Sequence, residues 1–234
     1  MVKHRKDSSH LEIKGSKLCL VGGFLVVGLI AVNVAWSCNS TFNCVDFKPT
    51  VSYLACFRGH DRLFNFTMTL AGAFLSFFFV TAYANFNYFF SDLQNLAYIG
   101  LSCLISVGMP LIGIIDEANT SDLVPLERFH FWIVFCVVSC CLGWVYLTMG
   151  CLDNFNFTKS QTAAVVFLKK YLAVGLTVLF VNILQWTHEV FSEPNWLFNM
   201  NYQAYSEWCV ILMGCFTPYT YSRSFAPMKI QLLS

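Results

Sequence analysis

Residues 129–150 read FHFWIVFCVVSCCLGWVYLTMG, a stretch without Asp, Glu, Lys or Arg. About 20 apolar residues at 1.5 Å rise per residue cross the hydrocarbon core of a bilayer, so this run predicts a membrane-spanning helix. Runs of the same kind lie at 18–36, 63–84, 96–115, 171–190 and 204–221. Backbone amides in lipid must be satisfied within the segment, which requires helices rather than open strands. The expected fold is therefore all-α, a six-helix transmembrane bundle. Pro110 and Pro218 fall inside spans three and six, where each removes one backbone hydrogen bond and predicts a kink.

Composition agrees. Of 234 residues, 57% are hydrophobic and 12% are charged, against about 25% charged in soluble domains. Six spans leave no room for a soluble domain. The expected organisation is a head at 1–17, a membrane domain at 18–221 and a tail at 222–234. A net charge of +1 points to no nucleic-acid partner. The basic head before span one resembles that of a secretory signal peptide. The run is long for such a peptide, however, so a retained anchor is expected.

Lys and Arg in short loops set orientation. With the N-terminus cytoplasmic, that side holds ten: Lys3, Arg5, Lys6, Lys14, Lys17, Lys159, Lys169, Lys170, Arg223 and Lys229. The other side holds four: Lys48, Arg58, Arg62 and Arg128. Both termini are thus expected in the cytoplasm. Sequons at Asn39 and Asn119 then fall on the opposite side, where glycosylation is expected.

The first outer loop, 37–62, carries Cys38, Cys44 and Cys56. In an oxidising lumen two of these three are candidates for a disulfide. No paired CxxC pattern suggests zinc, and neither metal nor cofactor is expected. The aromatic run Phe77-Phe78-Phe79 and the pair Phe89-Phe90 are expected to face lipid or the interface. Trp36, Trp132, Trp186 and Trp208 lie near the outer boundary, as an aromatic belt would.

Polar residues gather toward that same boundary: Asp46, His60, Arg62, His130, His188 and Glu207. A carboxylate inside a span is costly and normally faces the bundle interior with a partner. Three readings of this group stay open. It is a packing network, a lipid-headgroup or regulatory site in which the planar fork of Arg62 suits phosphate and the histidines could act as an acidic-pH switch, or a His/carboxylate catalytic pair. The motifs HExxH and GxSxG and a glycine-rich phosphate loop are all absent from the sequence, so a non-enzymatic role is favoured.

The stretch Cys44-Val45-Asp46-Phe47-Lys48-Pro49-Thr50-Val51-Ser52-Tyr53, followed by Gly59-His60-Asp61-Arg62-Leu63-Phe64, resembles a first-loop signature of the damage-regulated autophagy modulator (DRAM) family. That family includes relatives in GPI-anchor maturation and a yeast suppressor of a phosphatidylinositol-kinase defect. The resemblance continues through Ala82-Tyr83, His130, His188 and Glu207-Trp208; Lys48 and Cys56 depart from the pattern. It implies a multi-pass protein of the endomembrane system (lysosome, Golgi or ER) or the plasma membrane. The implied role is regulation of autophagy or of GPI-anchor or phosphoinositide lipid homeostasis, with membrane lipids and a membrane-protein partner as expected contacts. A lipid-remodelling enzyme or accessory with a His/Glu site, and a structural subunit of a larger complex, are the alternatives.

Overall fold

A computed structural model of the chain describes residues 12–40, 44, 59–115, 124–152, 159–191, 200–224 and 229–231. Six helices occupy most of this: α1 (Gly15–Ser40), α2 (His60–Phe86), α3 (Asp92–Ile114), α4 (Val124–Leu152), α5 (Lys159–Phe191) and α6 (Met200–Ser224). Two three-residue strands, β1 (Glu12–Lys14) and β2 (Lys229–Gln231), pair antiparallel with Ile13 opposite Ile230. The segments before α1 and after α6 therefore meet at one end of the bundle, as six alternating helices require.

Local sequence sets several helix ends. Ser91 caps α3: its hydroxyl accepts from the Gln94 amide at 3.4 Å, and the Gln94 side chain accepts from the Ser91 amide at 2.9 Å. This reciprocal box satisfies two of the otherwise unpaired amides of a helix start. Before α2, Gly59 takes φ 97°, a left-handed conformation that suits a residue without Cβ. Its amide donates to the Asp61 carboxylate at 2.9 Å. Within the helices, Thr67 and Thr148 donate to the backbone one turn back, the way a hydroxyl is satisfied in apolar surroundings.

Each helix packs on the next in sequence, and α6 closes on α1, so the six form a ring. Glycines permit close approach at two seams. A Cβ on Gly72 would sit 2.8 Å from the Ser106 carbonyl and 2.8 Å from the Pro110 ring, between α2 and α3. One on Gly108 would sit 2.2 Å from the Val137 side chain, between α3 and α4. Small residues at such seams let helix backbones approach in a lipid setting, where packing rather than water exclusion drives association.

Five of these helices are long and apolar enough to cross a membrane: Lys17–Ser40, His60–Ala84, Asp92–Ile114, Trp132–Leu152 and Ala163–Gln185. The protein is accordingly a multi-pass membrane protein by length and composition. Of the six spans expected, the sixth does not reach that apolar standard among the described residues, because α6 carries Ser206, Glu207, Thr217, Thr220 and Ser222. The fifth begins earlier than expected. Its apolar stretch opens at Ala163 rather than Tyr171, and Lys169 and Lys170 lie inside the helix instead of in a loop. Lysine stems are long enough to reach polar surroundings from a helix interior. The first outer loop is also shorter than expected, since α1 runs on to Ser40.

The Phe runs divide between faces. Phe77 is exposed, but Phe78 and Phe79 are buried; Phe89 is exposed and Phe90 buried. Successive helical residues differ by about 100°, so Phe77, Phe78 and Phe79 on α2 cannot all look outward. The inward rings build an aromatic core with Tyr98, Trp144 and Tyr221. Ring centroids lie 5.7 Å apart for Phe78–Trp144, 5.5 Å for Phe78–Tyr221 and 5.2 Å for Phe86–Tyr221.

Candidate functional site

Three polar groups are buried toward the end of the ring opposite the β1–β2 pair, each at a different helix seam. At the α1–α2 seam, Asn33, Ser37 and His60 are all at least 97% buried. Asn33 and Ser37 fall four residues apart, on the face of α1 that also buries Val26 and Ile30. The Asn33 amide donates to the His60 carbonyl at 3.3 Å. The imidazole Nε2 of His60 lies 3.4 Å from the Ser40 hydroxyl, and its ring meets Trp36 edge-on at 4.4 Å between centroids. Three atoms here, Asn33 Oδ1, Ser37 Oγ and His60 Nδ1, are buried with no hydrogen-bond partner among the described residues. The Cys38–Cys44 disulfide ties the end of α1 to the segment that follows.

At the α3–α4 seam, His130 is fully buried and its Nδ1 pairs with the Ile115 carbonyl just after α3. That carbonyl lies among the last four of a helix, which have no intrahelical partner, so a histidine is a fitting cap.

At the α5–α6 seam, Asn182 donates through Nδ2 to the Ser206 hydroxyl at 3.0 Å, and Ser206 donates onward to the Gln185 carbonyl. Glu207, 9% exposed, stands beside Ser206 on α6. Two to three turns below, the Tyr171 hydroxyl donates to the Met213 carbonyl at 2.7 Å and ties the same two helices together.

The ring is not filled. A cavity of about 190 Å³ runs along its axis and takes side chains from all six helices. Val26 of α1, Met68 of α2, Ile105 of α3 and Val137 of α4 are typical of its wall. Its polar lining residues are Asn182 and Glu207 toward one end and Tyr171 and Thr217 further along α5 and α6, while Phe78, Phe79 and Trp144 line it along α2 and α4. From Asn182 to Tyr171, both in the lining, is eleven residues of helix, or about 16 Å of axis. An apolar cavity lined by Leu, Ile and Phe stays dry and accepts apolar guests at about 150 Å³. This one exceeds that volume and adds a polar end.

The residues singled out in the sequence are thus dispersed. His60, His130 and Glu207 are buried at the three seams just described. Arg62 is exposed in the first turn of α2. Asp46, Cys56 and Asn119 lie outside the described residues; His188 belongs to the last turn of α5, with its side chain outside them as well. Asn39 is exposed in the last turn of α1, its amide donating to the Ala35 carbonyl at 2.8 Å. Asn33, Asn182, Gln185 and Ser206 were not anticipated. Their signal was available: an amide inside an otherwise apolar span has to find a partner within the bundle. Among the described residues no group of three or more His, Cys, Asp or Glu is placed to hold a metal.

No protein-family model matches the chain, and no curated protein or solved structure matches it either.

Proposed function

We propose that this chain is a non-enzymatic, six-span membrane regulator of the DRAM type. In this reading it acts on membrane-lipid homeostasis or autophagy from the endomembrane system or the plasma membrane. The observation that carries the reading is the axial cavity, whose largely apolar wall includes Asn182 and Glu207.

Burial supports a membrane path for α6 in spite of its composition. Glu207, Thr220 and Ser222 are buried, whereas Tyr205, Cys209 and Leu212 are exposed. The helix thus turns polar groups inward and apolar ones toward lipid, and its 25 residues extend about 37 Å. With Lys17, Lys169 and Lys170 inside apolar spans on one side and Arg62 inside one on the other, seven Lys and Arg remain on the side proposed as cytoplasmic against three opposite, which keeps the bias. Both termini are placed in the cytoplasm on this ground.

The test is removal of the protein from cells, followed by whole-membrane lipid analysis and measurement of autophagic flux. The expected outcome is a change in phosphoinositides, GPI-anchor lipids or flux that the wild-type chain restores. If all three stay at control levels, the reading is wrong.

A further inference from the structure

We propose that Lys170, on the lipid-facing side of α5, binds the phosphate of one anionic phospholipid. Its ammonium reaches back to the headgroup layer, and the lipid's chains lie along the apolar face of α5 beside it. This deepens the lipid-related reading above, on which its use in the cell rests.

The placement of the charge carries the inference. From Ala163 to Gln185, α5 holds two charged residues, Lys169 and Lys170. Val165, Leu168, Leu172 and Leu179 are buried and mark the inner face of this stretch; Val166, Phe167, Val174 and Phe180 are exposed and mark the outer one. Lys169 is half-buried, whereas Lys170 is exposed. Helical spacing of three and four puts Lys170 in line with Phe167, Val166 and Val174. It is the charge on a face that otherwise suits hydrocarbon. A lysine there is costly unless its head leaves the hydrocarbon and meets water or an anion.

The direction of the helix decides where the head goes. Tyr171 bonds to Met213 and Asn182 to Ser206, so α5 runs antiparallel to α6 and starts at the end where α6 leads into β2. Long side chains on a helix lean toward its N-terminus, so the stem of Lys170 leans toward that end. Its backbone lies about 10 Å of axis beyond Ala163, where the apolar stretch opens, and a lysine snorkels from such a depth to the headgroup layer. The single acid of α5, Glu189, lies near the far end of the helix and supplies no counter-charge. Lipid phosphate lies where the ammonium arrives, and lysine meets phosphate as a point charge. An anionic headgroup adds the net negative charge that a zwitterionic one lacks, worth roughly fivefold in affinity for one Lys at a membrane surface.

The experiment titrates the full chain in micelles with phosphatidic acid, phosphatidylserine and phosphatidylcholine of identical chains, and reads bound lipids by native mass spectrometry. The expected result is an adduct of either anionic lipid at roughly fivefold higher affinity than phosphatidylcholine. Lys170→Gln abolishes that preference, and Lys170→Arg keeps it, because either cation meets a phosphate. Lys17, exposed in the first turn of α1, gives the control: Lys17→Gln removes the same charge elsewhere and leaves the preference within about twofold. Excess inorganic phosphate separates the two sources of the anion, and the adduct is expected to survive it, because the chains of the lipid hold it on the apolar face.

Equal binding of phosphatidylcholine overturns the inference, as does an equal loss in Lys17→Gln, which marks net charge rather than this site. Displacement by inorganic phosphate assigns Lys170 to a free anion and overturns the lipid. A change of oligomeric mass in Lys170→Gln without any lipid preference assigns this face to a protein helix and also overturns it. Each variant is scored only at wild-type melting and elution; Lys170→Met replaces Lys170→Gln if that chain does not fold. Cells whose lipids or autophagic flux depend on the protein, while the purified chain shows no anionic preference, overturn this inference and leave the broader reading standing. The preference without any cellular effect does the reverse.

Discussion

The Asn182 side-chain amide donates to the Ser206 hydroxyl at 3.0 Å, joining α5 to α6 across the wall of the cavity. Side-chain hydrogen bonds between membrane helices are individually modest, and their value lies in fixing which faces meet. This one sets the rotation of two helices and, through it, the position of Glu207.

Breaking that link has a bounded cost. Ser206→Ala is expected to lower stability by about 0.5–1.5 kcal/mol, since two buried amides lose a partner. Thermal unfolding in detergent measures it. A double-mutant cycle with Asn182→Ala then isolates the coupling, and strict additivity of the two changes would show that the pair does not interact.

The Cys38–Cys44 bridge closes a short loop, with a sequence separation of 6. Short loops constrain the unfolded chain less than long ones, so Cys38→Ser is expected to cost about 2 kcal/mol. Alkylation without reductant, read by mass spectrometry, should leave Cys38 and Cys44 unmodified and make both reactive once a reductant is added. Alkylation of either before reduction contradicts the pairing.

The seams depend on glycine. Gly72→Val forces α2 away from the Ser106 carbonyl and the Pro110 ring and is expected to destabilise by about 1–3 kcal/mol. Gly28, which has open space for a Cβ, is the counterpart: Gly28→Val stays within about 0.5 kcal/mol. Equal melting of the two variants would rule out the tight α2–α3 seam.

The aromatic core is expected to be the most sensitive region. Phe78→Ala should cost about 3–5 kcal/mol, because a fully buried ring leaves a void among Trp144, Phe79 and Tyr221. Tyr221→Phe keeps the ring but loses the hydroxyl that donates to the Ala82 carbonyl at 3.3 Å, for about 1 kcal/mol. Chemical denaturation in mixed micelles ranks the two, and the reverse order would place the weight on the hydrogen bond rather than on packing.

How much was legible differs from element to element. The run 129–150 announces a helix because crossing lipid is a demand on one segment alone, and α4 indeed contains it. The start of α5 was misplaced because Lys169-Lys170 resembles a loop when charge is read without side-chain length. Glu207 could be singled out, as an ionisable group inside a span always can. Its neighbours could not: nothing local to Asn182 says that Ser206, 24 residues on, will face it.

Length and hydropathy by themselves determined that the chain is helical and membrane-crossing, since each span satisfies its own backbone and its own solvent. The order of the ring, the closure of α6 on α1, the inward turn of Phe78 and Phe79 and the existence of the cavity were decided only in the tertiary structure. The reason is physical. A helix in lipid is apolar on nearly every side, so hydrophobicity does not mark which face meets protein. That choice falls to glycine seams, ring packing and a few amides, which act only once helices distant in sequence are brought together.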